Sequence, residues 1–132
     1  MINMGKTARE LSTVELRAYR PWQAMEDYQK DPSVAERRER AWKIARSAAE
    51  FLKMRFGAKR VVIFGSLAQK TLFTPWSDID LAVWGIKPEQ YFSAAGAVMD
   101  IGLDSGIKVD LVDPENCSKE FQADIEVDGI EV

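Results

Sequence analysis

The stretch from Val61 to Leu81, VVIFGSLAQKTLFTPWSDIDL, constrains this chain more than any other. An apolar run, Val61 to Phe64, stops at Gly65-Ser66. Ten residues separate Ser66 from Ser77, and Asp78-Ile79-Asp80 then opens a second apolar run, Leu81 to Trp84. Residues two apart in an extended strand point to the same side, so Asp78 and Asp80 are expected to face the same way. At about 4 Å, two ionised carboxylates repel by roughly 4 kcal/mol at an effective dielectric near 20. Unless a cation sits between them, one should carry a proton. Such a pair suits Mg²⁺, which prefers oxygen ligands and shares its shell with substrate phosphates.

Lys108-Val109-Asp110-Leu111-Val112 supplies a further carboxylate. The run is short, alternating and β-branched, so it reads as a strand with Asp110 and Val112 on one face. If it lies beside the strand that starts at Asp80, three carboxylates converge at one end of a sheet. Three carboxylates can bridge two divalent ions about 3.5 to 4 Å apart, an arrangement suited to in-line displacement at phosphorus. Gly65-Ser66 offers a resting place for a triphosphate. Glycine lets the backbone come close, and the following amides are expected to open a helix whose N-terminus favours anions.

Composition narrows the chemistry further. The chain has 132 residues, enough for one domain with a modest core. It contains no histidine and a single cysteine, Cys117. That excludes histidine-ligated zinc, Ser-His-Asp and Cys-His catalysis, and an intramolecular disulfide. Acid–base or metal work must therefore use carboxylates, lysines, hydroxyls or backbone. No run approaches 18 apolar residues and the N-terminus has no apolar signal core, so a cytoplasmic location is expected. The net charge of −3 is divided unevenly. Residues 36–60 hold nine Lys or Arg against three Glu, and residues 104–132 hold nine acidic groups against two lysines. The basic half reads either as a solvated helix face or as a surface for nucleic acid or an acidic protein.

Residues 11–20 suggest a short helix that Pro21 ends or kinks, and Trp22, Met25 and Tyr28 suggest another helical turn or two. The main helix is expected from Ser33 to Phe56, with Ser33 and Glu36 as a capping box and Gly57 as C-terminal cap. Its apolar stripe includes Val34, Ala41, Ala45, Ala48 and Leu52, with Trp42 packing at the edge. Strands follow at Arg60–Phe64 and Ile79–Trp84. Phe73 and Trp76, between them, either cover a nucleobase or anchor the loop. A helix from Pro88 to about Ile101, a turn at Asp104-Ser105-Gly106, the Asp110 strand and a last helix from about Glu115 to Ile125 complete the order. Asp128-Gly129 reads as a turn. The expected fold class is α/β (α+β), a small mixed sheet with helices packed on one side. Residues 1–32 are expected to form an N-terminal helical arm, and residues 33–132 the main domain.

Gly65-Ser66, followed by Ser77-Asp78-Ile79-Asp80-Leu81 and by Asp110 between Val109 and Leu111, resembles the minimal nucleotidyltransferases (MNT) of the DNA polymerase beta-like superfamily. These small proteins often pair with HEPN ribonuclease toxins as antitoxins. The resemblance covers roughly residues 35–132. It implies that Asp78 and Asp80 hold two Mg²⁺ ions, and that Asp110 helps hold the one that activates the attacking hydroxyl. It assigns Gly65 and Ser66 to the β- and γ-phosphates; Lys70 and Ser77 are expected to complete the nucleotide-binding set. It further implies ATP as donor, a tyrosine hydroxyl of the HEPN-type toxin as acceptor, and silencing of the toxin by AMPylation. The chain departs from the family in one place: many members carry x-Ala-Arg-Gly after Gly-Ser, and here Leu67-Ala68-Gln69-Lys70 stands instead. Lys70 then supplies phosphate-directed charge one position later, as a point charge and not a rigid fork. The rival readings are a transferase-like antitoxin that acts by binding alone, and nucleotidyl transfer to a small molecule.

Overall fold

The computed structural model describes residues 21–132, so the expected helix at residues 11–20 and most of the N-terminal arm lie outside the described residues. Helix α1, Pro21–Lys30, contains the Trp22, Met25 and Tyr28 turns, and Pro21 is its first described residue. Helix α2, Pro32–Phe56, is the long helix expected from the apolar stripe. Its cap differs from the capping box. Asp31 occupies the N-cap, and its carboxylate accepts from the Ser33 hydroxyl at 2.8 Å and from the Ser33 amide at 2.9 Å; these two bonds, the hydroxyl first, hold the Asp31 carboxyl below its ordinary range. Asp31 precedes Pro32, whose fixed φ and missing N–H suit the first helical position, so Ser33 is already inside the helix. At the other end Gly57 is left-handed, at φ 70°, as the cap requires.

Strands β1 (Arg60–Phe64), β2 (Ile79–Trp84), β3 (Val109–Val112) and β4 (Ile130–Glu131) form one sheet in the order β3-β2-β1-β4. β1 runs antiparallel to β2 and β4, and β2 runs parallel to β3 through the crossover helix α3, Tyr91–Leu103. The sequence pattern left the β1–β2 direction open. β4 was not expected: Ile130 opposes Ile63, and the Val132 amide donates to the Val61 carbonyl at 3.0 Å. Two residues carry no periodicity, so only the free edge of β1 reveals them as a strand.

Alternation divides the sheet. Val61, Ile63, Ile79, Leu81, Val83 and Val109 form one continuous core with α2 and α3. The alanines of α2 at 41, 45 and 48 are fully buried, and their small side chains let the helix lie close to the sheet. Each fully buried Leu, Val or Ile contributes about 1.5–3 kcal/mol. The opposite face is not bare, contrary to the one-sided packing expected. Helix α4, Lys119–Asp128, places Ile125 and Phe121 against Val62, Ala82, Phe64 and Trp84. α4 also starts later than expected. Pro114–Asn116 is a separate 3-10 turn, and the Ser118 hydroxyl caps the helix by accepting from the Phe121 amide at 3.1 Å.

Candidate active site

β1 ends where β2 and β3 begin, so Gly65-Ser66, Asp78, Asp80 and Asp110 gather at one end of the sheet. Asp80 is paired in register with Phe64 on one side and with Asp110 on the other. Alternation places Asp80 and Asp110 on the face that carries Val62 and Ala82. Asp78 lies just before β2. All three side chains are partly buried.

Burial raises the Asp80 carboxyl above its ordinary range, and the charges of Asp110 and Asp78 raise it further, with Lys108 acting in the opposite sense. Lys108 Nζ stands 3.5 Å from Asp110 Oδ1, so a protein cation already attends the outer carboxylate. Among the described residues no group of three His, Cys, Asp or Glu side chains is arranged to hold a metal ion. The donor set still fits a hard divalent cation. It is all carboxylate oxygen, and its central member is destabilised as an anion by its two neighbours.

Gly65 is required by both its backbone and its neighbour. It sits at φ 74°, and a Cβ there would lie 2.6 Å from Asp80 Oδ2. The Gly65 turn and the Asp80 carboxylate are therefore in direct apposition. The segment that follows is a single 3-10 turn, Gly65–Leu67, and not the helix expected. Leu67 is fully buried, and Gln69 is extended before a second 3-10 turn at Lys70–Leu72. Helical hydrogen bonding cannot propagate through that extended residue, so this segment can offer an anion individual amides and not a helix macrodipole.

The remaining expected residues are spread more widely. The Ser77 hydroxyl accepts from the Thr74 amide at 2.8 Å and lies 3.1 Å from the Thr74 hydroxyl, so it knots the loop ahead of Asp78. Lys70 is exposed and lines a cavity of about 580 Å³ with Arg38, Trp42, Lys43 and Arg46 of α2. Gln69, which stands where the family arginine would, lines a different cavity of about 300 Å³ with Gly65, Phe121 and Asp124. Phe73 is buried and anchors the loop, whereas Trp76 is 74% exposed and meets Tyr28 edge-on at 6.1 Å.

Two arginines of the basic run, which the sequence leaves as either a solvated helix face or a surface for nucleic acid or an acidic protein, belong to the surroundings of the site. Arg37 Nη2 donates to the Ser77 carbonyl at 3.0 Å, and Arg38 Nη2 donates to the Leu67 carbonyl at 3.1 Å. Their adjacency within a basic run was visible, but the backbone carbonyls they reach are 40 and 29 residues away in sequence.

The polymerase beta nucleotidyltransferase family model matches residues 47–132, a span that includes Gly65-Ser66 and all three aspartates. No curated protein matches the chain. Among solved structures, a mutant of the toxin–antitoxin MntA-HpeT is similar with a TM-score of 0.51 and 22% identity, covering 66% of this chain and 69% of that one. A toxin–antitoxin structure with AMP-PNP is similar with a TM-score of 0.50 and 22% identity, covering 64% of this chain and 69% of that one. At that identity the likeness is one of fold. Among the described residues no helix is long and apolar enough to cross a membrane. With more than half of its length matched by the family model, and with the motif residues gathered at one end of the sheet, the chain belongs to the polymerase beta nucleotidyltransferase family.

Proposed function

We propose that this protein transfers AMP from ATP to a hydroxyl, a tyrosine of a partner HEPN-type toxin, and so acts as the antitoxin of a pair. The observation that carries the transferase chemistry is the register of Asp80 beside Asp110 with Gly65 against the Asp80 carboxylate. The fold likeness to toxin–antitoxin structures, one of them with AMP-PNP, supports the choice of partner and of adenine nucleotide.

In this reading the acceptor oxygen attacks the α-phosphorus of ATP. The bond from that phosphorus to the bridging oxygen breaks, pyrophosphate leaves and the hydroxyl proton passes to solvent water. Asp78, Asp80 and Asp110 would hold Mg²⁺, which when bound supplies charge neutralisation on the phosphates and lowers the pKa of the attacking hydroxyl. The chain's own work is positioning. Gly65 and Ser66 receive the β- and γ-phosphates on backbone amides, and the Thr74–Ser77 knot sets the approach of Asp78 to β2. Asp110 orients the acceptor side of the site. Lys70 lines the α2 cavity and not the cavity that Gly65 lines. This favours, as second reading, an antitoxin of low turnover that also acts by binding.

The test is the intact mass of the toxin after incubation with this protein, ATP and Mg²⁺. Steps of one or more AMP masses are expected, lost with Asp78→Asn/Asp80→Asn and reduced by orders of magnitude with Asp110→Asn. An unchanged mass with a stable complex would leave binding as the whole function.

A further inference from the structure

We infer that Arg37 and Arg38 are a pair of positioning residues that fix the phosphate cradle and the carboxylate strand relative to each other. The inference rests on the transferase reading for its kinetics, but its geometry stands alone. The two residues are adjacent on α2, so their side chains diverge by about 100° around the helix. Each donates one bond to a backbone carbonyl, Arg37 to Ser77 and Arg38 to Leu67. Ser77 immediately precedes Asp78, and Leu67 closes the turn that begins at Gly65. The ten-residue segment between the two metal-side motifs is thus pinned at both ends to one turn of one rigid helix.

Three features separate this clamp from ordinary surface arginines. Both side chains are partly buried, and the Nε atom of each is buried without a hydrogen-bond partner. Such a nitrogen is destabilising to bury, so these guanidiniums hold their carbonyls at a cost that a solvated arginine does not bear. Both bonds end on carbonyls and not on carboxylates, which leaves Asp78 and Asp80 uncommitted. Finally, among the described residues the loop between the pins makes no other hydrogen bond to a distant segment; Phe73 is its buried anchor, Trp76 packs edge-on against Tyr28 of α1, and the Ser77 knot is local.

The pins have different neighbours and therefore different kinetic consequences. Releasing Ser77 lets Asp78 drift, which disturbs the reacting geometry. Releasing Leu67 loosens the Gly65–Leu67 turn, which disturbs the hold on the triphosphate. A misplacement of about 1 Å at a reacting centre costs on the order of a hundredfold in rate. Arg37→Met is accordingly expected to lower kcat for AMP transfer by roughly ten- to a hundredfold with little change in the KM for ATP. Arg38→Met is expected to raise that KM by about tenfold with a smaller change in kcat. Arg→Lys at either site should recover part of the loss, since lysine offers a donor without the planar fork.

The experiment measures both kinetic constants for the four variants well below their melting temperatures, together with amide hydrogen exchange. Faster exchange confined to residues 74–80 in Arg37→Met, and to residues 65–69 in Arg38→Met, is the result expected. That readout needs no turnover, so it decides the clamp even if the wild-type protein transfers no AMP, an outcome that would overturn only the transferase reading. Unchanged exchange in both segments would overturn the clamp. So would kinetic losses of identical form in the two variants, which would indicate a general weakening of α2.

Discussion

Replacing Gly65 with alanine separates two demands made at one position. The first is conformational. At φ 74° an L-residue is disfavoured by about 1–2 kcal/mol. The second is steric. The new Cβ would stand 2.6 Å from Asp80 Oδ2, and reaching ordinary contact at 3.4 Å requires roughly 0.8 Å of retreat. Asp80 is the middle carboxylate, so that retreat falls on the atom most central to the proposed chemistry. Gly57 provides the control: it has nearly the same φ, 70°, but a Cβ there has nothing within 4 Å. Gly57→Ala should therefore lose about 1–2 kcal/mol of stability, a few degrees in Tm, with AMP transfer unaffected below the transition. Gly65→Ala should lose at least as much stability and, in addition, on the order of a hundredfold in transfer rate. Thermal melts and toxin mass spectrometry on the two variants side by side make the measurement. Wild-type turnover in Gly65→Ala would refute the claim that the cradle and the Asp80 carboxylate share one tightly fitted space.

Two further outcomes follow from the same geometry. Asp80 has a folded pKa above its unfolded value, so the folded state holds the extra proton; this contribution to stability is full below the ordinary aspartate range and is lost as pH rises through the raised pKa. In chelating buffer at pH 7, Asp80→Asn should melt higher than wild type, with the advantage shrinking as pH falls toward the ordinary aspartate range; equal or lower melting at pH 7 would count against the electrostatic reading. Gly129 joins α4 to β4, and a Cβ there would meet the Ile125 carbonyl at 2.3 Å and Val62 Cγ1 at 2.4 Å. Gly129→Ala should cost about 1–3 kcal/mol in urea unfolding by forcing β4 away from β1, and an unshifted midpoint would show that the connection is slack.

Much of the candidate site was legible in the sequence because its residues are close in sequence or marked by their surroundings. Gly65-Ser66 interrupts an apolar strand, and Asp110 is a charge between Val109 and Leu111. Each is a local violation of pattern, and local violations survive without a structure. The strand spans at Arg60–Phe64 and Ile79–Trp84 were equally readable from apolar runs bounded by breakers, as was the stripe of α2 from its helical period. Asp31 was overlooked as the cap because Ser33 and Glu36 offer a competing signature two residues on, and only the Asp31–Ser33 hydrogen bond distinguishes them.

What tertiary structure decided was everything that depends on distance between segments. The antiparallel β1–β2 pairing, the two-residue β4 and the cover that α4 gives the second face have no local periodicity to announce them. Lys70 lines the α2 cavity after an extended Gln69 that ends the first turn, a backbone event that side-chain pattern does not encode. Arg37 and Arg38 illustrate the limit most clearly. Sequence fixes that they are charged and adjacent, but their function depends on which carbonyls lie within 3.1 Å, and that is set by how α2 lies across the sheet. The residue types of the candidate site are thus written along the chain, whereas the alignment of its parts exists only once the helix and the sheet have packed.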